Sequence, residues 1–240
     1  MNCVTLGGIA GRSLAMVSSH VGCGMRILIT AGGTREYIDP VRFISNASSG
    51  RMGYALARAA LKAGHKVTLV TAPATLKPPT GAKVIPVQTA AEMFKVVKQH
   101  FPACDCLIMA AAVSDYTPAR PSKTKLKKQS GPFTLELKPT PDILNWAGKQ
   151  RRVCTAHHKS KIIVGFALED RDLRANAERK MREKHLDMII ANTPGAIGAD
   201  TSTLHVKCAG SDWIEIDPMQ KTRSARRIVC LIGALAQESG

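Results

Sequence analysis

Aromatic residues are scarce in this chain: Phe, Tyr and Trp make up 4% of its 240 residues. Its core must therefore be mostly aliphatic, and a single-stranded nucleic-acid site built on stacked rings is disfavoured. No stretch of about 18 apolar residues occurs, which argues against a membrane-spanning helix. There is no C-x-x-C pair, and seven cysteines at irregular spacing make no disulfide framework; this suits a reducing cytoplasm. A Walker loop, a nucleophile elbow and an H-E-x-x-H helix are all missing. His157 and His158, with Cys154 nearby, lack acid or cysteine partners at ligand spacing and are not read as a metal site. Acids are also few, 18 Asp and Glu against 34 Lys and Arg, a formal net charge of +16. That surplus predicts attraction for polyanions: nucleic acid, acidic membranes or phosphorylated small molecules.

What is present is an ordinary apolar fraction of 45% and a length that suits one sizeable domain. Near the start, residues 6–17 are mildly apolar, but Arg12 interrupts them, whereas a signal peptide carries its charge ahead of the apolar run. Residues 1–24 are read as a disordered lead and 25–240 as a single α/β domain. Apolar runs of strand composition lie at 26–30, 66–71, 83–87 and 105–111, with helical patterns at 48–63 and 90–100. The alternation continues with a strand at 161–167, a helix at 170–184 and a strand at 187–191. Two close strands at 203–207 and 213–217 then read as an antiparallel hairpin, and a last helix covers 223–237. The expected fold is α/β, a doubly wound, mostly parallel Rossmann-like sheet with a small antiparallel hairpin extension. Cys104 and Cys106, two apart in the fourth strand candidate, are expected to face one side. The proline-containing stretch 117–131 carries Arg120, Lys123, Lys125, Lys127 and Lys128 with no acid among them, and reads as a basic lid loop.

Candidate chemistry gathers at the ends of the first and fourth strands. A Gly32-Gly33-Thr34 turn is followed by Asn46 and by Ser48-Ser49-Gly50 at a helix start. Glycines let backbone approach a ligand closely, and the first helical N–H groups point at an anion, so Gly33, Ser48, Ser49 and Gly50 are phosphate-site candidates. Asn46 precedes the helix, where its side chain can touch a reacting group. The small residues Ala111 and Ala112 let a flat base lie against the backbone, and Asp115 suits a ribose hydroxyl, a magnesium ion or a helix cap. A lysine such as Lys125 on a mobile loop can close over a triphosphate and stabilise charge as pyrophosphate leaves; the same run also fits a solvated face. Phe166 can pack on a base or fill the core. Lys180 and Lys184, four apart, share one helix face. A nicotinamide-binding fold would carry G-x-G-x-x-G and an acid at the end of the second strand, and the run Val70-Thr71-Ala72-Pro73 has none.

The motifs Gly32-Gly33-Thr34-Arg35-Glu36, Asp39-Pro40-Val41-Arg42, Ser45-Asn46, Ser48-Ser49-Gly50, Ala111-Ala112-Val113-Ser114-Asp115-Tyr116, Lys125-Leu126-Lys127-Lys128, Pro141-Asp142-Ile143-Leu144, Gly165-Phe166-Ala167 and Ala191-Asn192 occur in one order. Together they resemble the phosphopantothenate–cysteine ligase family of coenzyme A biosynthesis. The resemblance implies a cytoplasmic, magnesium- and CTP-dependent ligase that joins 4′-phosphopantothenate to L-cysteine through an acyl-cytidylate. It implies catalytic roles for Asn46 and Lys125 and substrate contacts for Arg42 and Asn46. Nucleotide contacts follow for Gly33, Ser48, Ser49, Gly50, Ala111, Ala112, Asp115, Lys125, Phe166, Lys180 and Lys184, with Asp115 also a magnesium ligand. A homodimer is expected, paired through an added antiparallel segment to which the 203–217 hairpin is assigned. A separate decarboxylase is expected, with no nucleic-acid or membrane partner. Arg51, where lysine is common, and Leu168, where a small residue is usual, depart mildly from the pattern. Two rival readings are an NAD(P)-dependent reductase of similar fold and a basic nucleic-acid-binding protein with 120–128 as its arm.

Overall fold

Strands buried on both faces cannot alternate apolar with polar, and the first strand obeys this. β1 (Arg26–Ala31) is buried at every position after Arg26. The computed structural model describes residues 24–151 and 161–238. The lead at 1–23, together with Cys154, His157 and His158, lies outside the described residues.

β1 is followed by a short antiparallel ribbon, β2 (Arg35–Tyr37) with β3 (Phe43–Ser45), and then helix α1 (Arg51–Lys62). β4 (Lys66–Thr71), β5 (Lys83–Pro86), α2 (Ala90–His100) and β6 (Cys106–Met109) complete the first half. A second ribbon, β7 (Tyr116–Pro118) with β8 (Leu137–Pro139), precedes α3 (Ile143–Gln150). β9 (Ile162–Leu168), α4 (Leu173–Glu183), β10 (Met188–Asn192), β11 (Thr201–Cys208), β12 (Trp213–Gln220) and α5 (Lys221–Glu238) follow.

Eight strands form one sheet in the order β12-β11-β10-β9-β6-β1-β4-β5. β10 through β5 pair parallel, while β11 and β12 are antiparallel. Counted in chain order, the parallel strands run third, second, first, fourth, fifth, sixth across the sheet. This is the dinucleotide-fold order, in which the direction of winding reverses between the first and fourth strands, here β1 and β6. The expected doubly wound, mostly parallel sheet with a hairpin extension is thus observed. The hairpin is β11–β12 and continues the main sheet; β2–β3 and β7–β8 are additional ribbons, of which only β8 overlaps a stretch, 133–138, that reads as strand-like in the sequence.

Side chains leave the sheet with period two. Ile27, Ile29, Cys106, Ile108, Ile162, Val164, Met188 and Ile190 pack on one face with α1 and α5. Leu28, Leu107, Ile163, Ile189 and Ala191 pack on the other with α2, α3 and α4. The expectation that Cys104 and Cys106 share a side fails. Cys104 leaves a 3-10 turn ahead of β6, outside the strand alternation, and joins the opposite face from Cys106. Burial pushes the Cys104 thiol up to about 12 and raises Cys106 above its ordinary value, so both behave as small apolar groups.

α1 approaches β1 closely because Gly53 has no side chain: a Cβ there would lie 2.6 Å from Ala31 Cβ and 3.0 Å from the Thr30 carbonyl oxygen. The helix ends at a left-handed Gly64, φ 83°, whose N–H donates to the Leu61 carbonyl. Replacing Gly53 with Val is expected to push α1 off β1 and destabilise the fold by about 1–3 kcal/mol. A lower urea midpoint with an unchanged denaturant slope is the expected result.

Candidate functional site

The carboxyl ends of β1 and β6 stay joined beyond the strands themselves. Gly33 and Ala112 form a parallel bridge, the Ala112 N–H donates to the Gly32 carbonyl at 2.8 Å, and the Thr34 N–H donates to the Ala112 carbonyl at 3.2 Å. Buried threonines lace the two connections: Ala111 N–H donates to Thr30 Oγ1 and Ser114 N–H to Thr34 Oγ1. The crevice of such a sheet opens where its winding reverses. Here its floor is peptide backbone from Gly33 and Ala112, with Ala111 and Ala112 only half-buried.

The β3–α1 connection lies over this floor. A Cβ on Gly33 would sit 2.8 Å from the Asn46 carbonyl oxygen, so a larger residue would lift the connection. Asn46 is exposed, and its Nδ2 donates to the Val113 carbonyl at 3.3 Å. Its own carbonyl accepts from Ser48 N–H, and Ser48 Oγ accepts from Gly50 N–H. Gly50 takes φ 73°, which L side chains avoid, and starts α1 at Arg51 rather than at residue 48. No side chain caps this helix and its first turn carries no acid, so its N–H groups remain available to an anion. Ser49 is exposed beside them. Gly33, Asn46, Ser48, Ser49, Gly50, Ala111 and Ala112 are therefore gathered in one place.

Asp115, exposed, follows on the β6 side, and its carbonyl accepts from Thr140 N–H at 2.9 Å. No three His, Cys, Asp or Glu side chains stand together as a metal site among the described residues. The remaining candidates are distributed differently. The Phe166 ring packs with the α1 and α5 face, whereas Lys180 belongs to α4 on the opposite face and Lys184 is that helix's C-terminal cap. Lys180 Nζ donates to the Phe166 carbonyl at 2.8 Å. Burial first, and then the charge of Lys184, lowers the Lys180 ammonium below its ordinary value. Lys184 is taken up by Asp142 at 2.7 Å. Burial opposes ionisation of Asp142, yet Lys184 and the Asn145 N–H outweigh it and keep the carboxyl low.

Lys125 lies on the excursion between β7 and β8, which closes where Ala119 N–H donates to the Glu136 carbonyl. Lys123, Lys125, Lys127 and Lys128 are all exposed. The half-exposed Arg42 pairs with buried Asp39 through Nε and Nη2, and Nη2 donates to the Leu126 carbonyl at 2.6 Å. Sequence reasoning quoted Asp39 and Asp142 inside motifs but gave neither a role. The Pro141-Asp142 step ahead of Ile143 was a usable helix-start signal, and Asp142 does cap α3 by accepting from Asn145 N–H. A separate open hollow of about 450 Å³ beside β2 is lined by Tyr37, Asp39, Gln88 and Glu92 among others, and contains none of the crevice residues named above.

Comparison with known proteins bears directly on this arrangement. Residues 23–235 match the model of the DNA/pantothenate metabolism flavoprotein C-terminal domain. The chain belongs to that family. The C-terminal domain of a coenzyme A biosynthesis bifunctional protein CoaBC, a solved structure, superposes with a TM-score of 0.75 at 36% identity, covering 90% of this chain and 97% of that one. The CoaBC protein of Bacillus subtilis strain 168 is 42% identical over 222 residues, 90% of this chain and 53% of that protein. A protein named cysteine/cysteine sulfinic acid decarboxylase, from an unknown prokaryotic organism, is 47% identical over 188 residues, 76% of this chain and 51% of that protein. The chain spans about half the length of these curated relatives. Family membership agrees with the ligase resemblance of the sequence motifs.

Asp39 allows a pH test of the site's scaffold. Its hydrogen bonds from Arg42, Val41 and Leu126 hold the carboxyl far below the usual carboxylate range. The unfolded chain protonates this group near pH 4 while the folded chain does not, so stability is lost as pH falls. Between about pH 5 and pH 3, urea stability of the native chain should fall more steeply than that of Asp39→Asn. Equal slopes would show that the carboxylate is not held charged by folding.

Proposed function

We propose that this domain is a phosphopantothenate–cysteine ligase. The observation that carries the reading is the crevice between β1 and β6, where an uncapped helix N-terminus, a backbone floor and Asn46 meet beside the base of a lysine-rich loop. Membership in the family supports it, as does the CoaBC name of relatives that share this half of their length. The missing carboxylate after β4 leaves a dinucleotide ribose without its usual partner.

A carboxylate is a poor electrophile, so amide formation needs activation. In the proposed reaction a carboxylate oxygen of 4′-phosphopantothenate attacks the α-phosphorus of CTP, and pyrophosphate leaves. The cysteine amine then attacks the acyl carbon of the resulting acyl-cytidylate. CMP departs and the amine loses a proton. The helix N-terminus at Gly50–Arg51 receives phosphate oxygens, and the Ala111–Ala112 backbone receives the base. Lys125 stabilises charge on the departing pyrophosphate. Asn46 orients the acyl group for the second step. Asp115 would hold magnesium as a carboxylate ligand. Bound magnesium neutralises triphosphate charge. Lys180 supplies further positive charge at the rim, and Lys184, paired with Asp142, orders the segment beside it.

The same reading includes a second copy of the chain and a cytoplasmic setting. Val41, Phe43, Tyr116 and Leu137 are exposed apolar side chains on or beside the two ribbons, which supports pairing there rather than through β11–β12.

Pyrophosphate release measured with 4′-phosphopantothenate and magnesium tests the activity. Release should require phosphopantothenate and run faster with CTP than with ATP; adding cysteine should yield CMP and the amide. Folded protein that releases no pyrophosphate with either nucleotide overturns the assignment. Asn46→Asp should keep part of the release yet form little amide, and normal amide turnover would remove the role given to Asn46. Lys125→Gln should slow release by about 100-fold. An unchanged rate would reduce the lysine run to a solvated face.

A further inference from the structure

The turn joining β2 to β3 holds a buried carboxylate that reaches across to the lysine loop. Asp39 is fully buried at its side chain. Oδ1 accepts the N–H groups of Val41 and Arg42, each at 2.8 Å. Oδ2 accepts from Arg42 Nε at 2.9 Å, from Arg42 Nη2, and from the Leu126 N–H at 3.1 Å. Arg42 Nη2 in turn donates to the Leu126 carbonyl at 2.6 Å. One ion pair therefore grips both polar groups of a single loop residue, much as a neighbouring strand would. A second tie holds the same loop to the same turn, the Ser122 N–H donating to the Ile38 carbonyl at 2.8 Å.

Leu126 stands between Lys125 and Lys127, and no ion pair or hydrogen bond of the Lys125 side chain occurs among the described residues. The loop backbone is thus fixed one residue from a lysine whose own side chain is free to meet a ligand. Charge-assisted hydrogen bonds are the strong ones, and those at Asp39 are shielded from water. They serve little purpose for the core, because the groups they hold belong to the β2–β3 turn and to the lysine loop. Two of the three guanidinium nitrogens of Arg42, Nε and Nη2, are committed to Asp39 and Leu126.

We infer that Asp39 and Arg42 form a latch on the Leu126 backbone that sets where Lys125 stands over the β1–β6 crevice. Both are positioning residues that act through Lys125. The inference rests on the proposed role of Lys125 in pyrophosphate release.

Two readouts on the full chain test it. The first needs no activity. Trypsin cleavage after Lys125, Lys127 and Lys128 is followed by mass spectrometry in the native chain, Arg42→Gln and Asp39→Asn. The half-exposed Arg42 makes Arg42→Gln the variant that keeps its fold, checked by thermal unfolding. Loss of the latch should speed cleavage by roughly tenfold; unchanged cleavage in a folded Arg42→Gln overturns the latch. The second readout is a double-mutant cycle on pyrophosphate release. Arg42→Gln should lower kcat by roughly tenfold with Lys125 present and have little further effect in Lys125→Gln. Losses that multiply, or a raised KM for phosphopantothenate at unchanged kcat, would make Arg42 a direct substrate ligand and overturn the inference. A Lys125→Gln chain of native activity would instead overturn the catalytic reading of Lys125, while the cleavage assay would still decide the latch.

Discussion

The structure depends on one junction, the backbone pairing that continues past the ends of β1 and β6. Gly33 and Ala112 bring the two chains into register where their connections part, β1 leading toward α1 and β6 toward the β7–β8 ribbon. Both connections are long, and the one after β6 is mostly exposed. They would wander without Thr30 and Thr34, whose buried hydroxyls accept N–H groups from the opposite chain. Small residues here leave the peptide backbone itself as the floor of the crevice. The two ribbons, the lysine loop and the start of α1 take their positions from this junction, so an error there would propagate into each of them.

The charge of the chain can be understood on the same frame. Many of its cations on the sheet's rim already have partners: Arg51 with Asp200, Lys184 with Asp142, and Arg42 with Asp39. Such pairs shape the rim without adding much net attraction. The exposed lysines of the loop differ in having no acid near them in sequence. A surplus of +16 suits the two anionic substrates of the proposed reaction, for which steering raises the encounter rate. It does not require a nucleic acid.

Much of the fold was legible because long elements carry period. β4 and α2 match their expected ranges, and the remaining parallel strands differ by a residue or two. Elements of three residues, β2, β3 and β7, carry no period to detect, and β8 shows only as the end of a strand-like stretch at 133–138. The start of α1 was placed early because Ser48-Ser49-Gly50 was read as the helix start, whereas the Ser48 hydroxyl serves Gly50 and the chain turns once more through a left-handed residue. The crevice residues were legible as strand-end motifs. The partners of Arg42 and Lys184 were not, since Leu126 lies 84 positions from Arg42 and only the folded chain brings them together.

The grip on Leu126 is made through its N–H and carbonyl, groups that almost every residue type possesses. Substitution at 126 can therefore accumulate between relatives without moving the loop, with proline the exception because it lacks the N–H. Loop length is less forgiving. An insertion or deletion between the tie at Ser122 and the one at Leu126 would keep the chemistry of the segment yet bring a different side chain beside the crevice. Selection on this region should fall on spacing more than on identity, with Asp39 and Arg42 as the fixed points against which the spacing is measured.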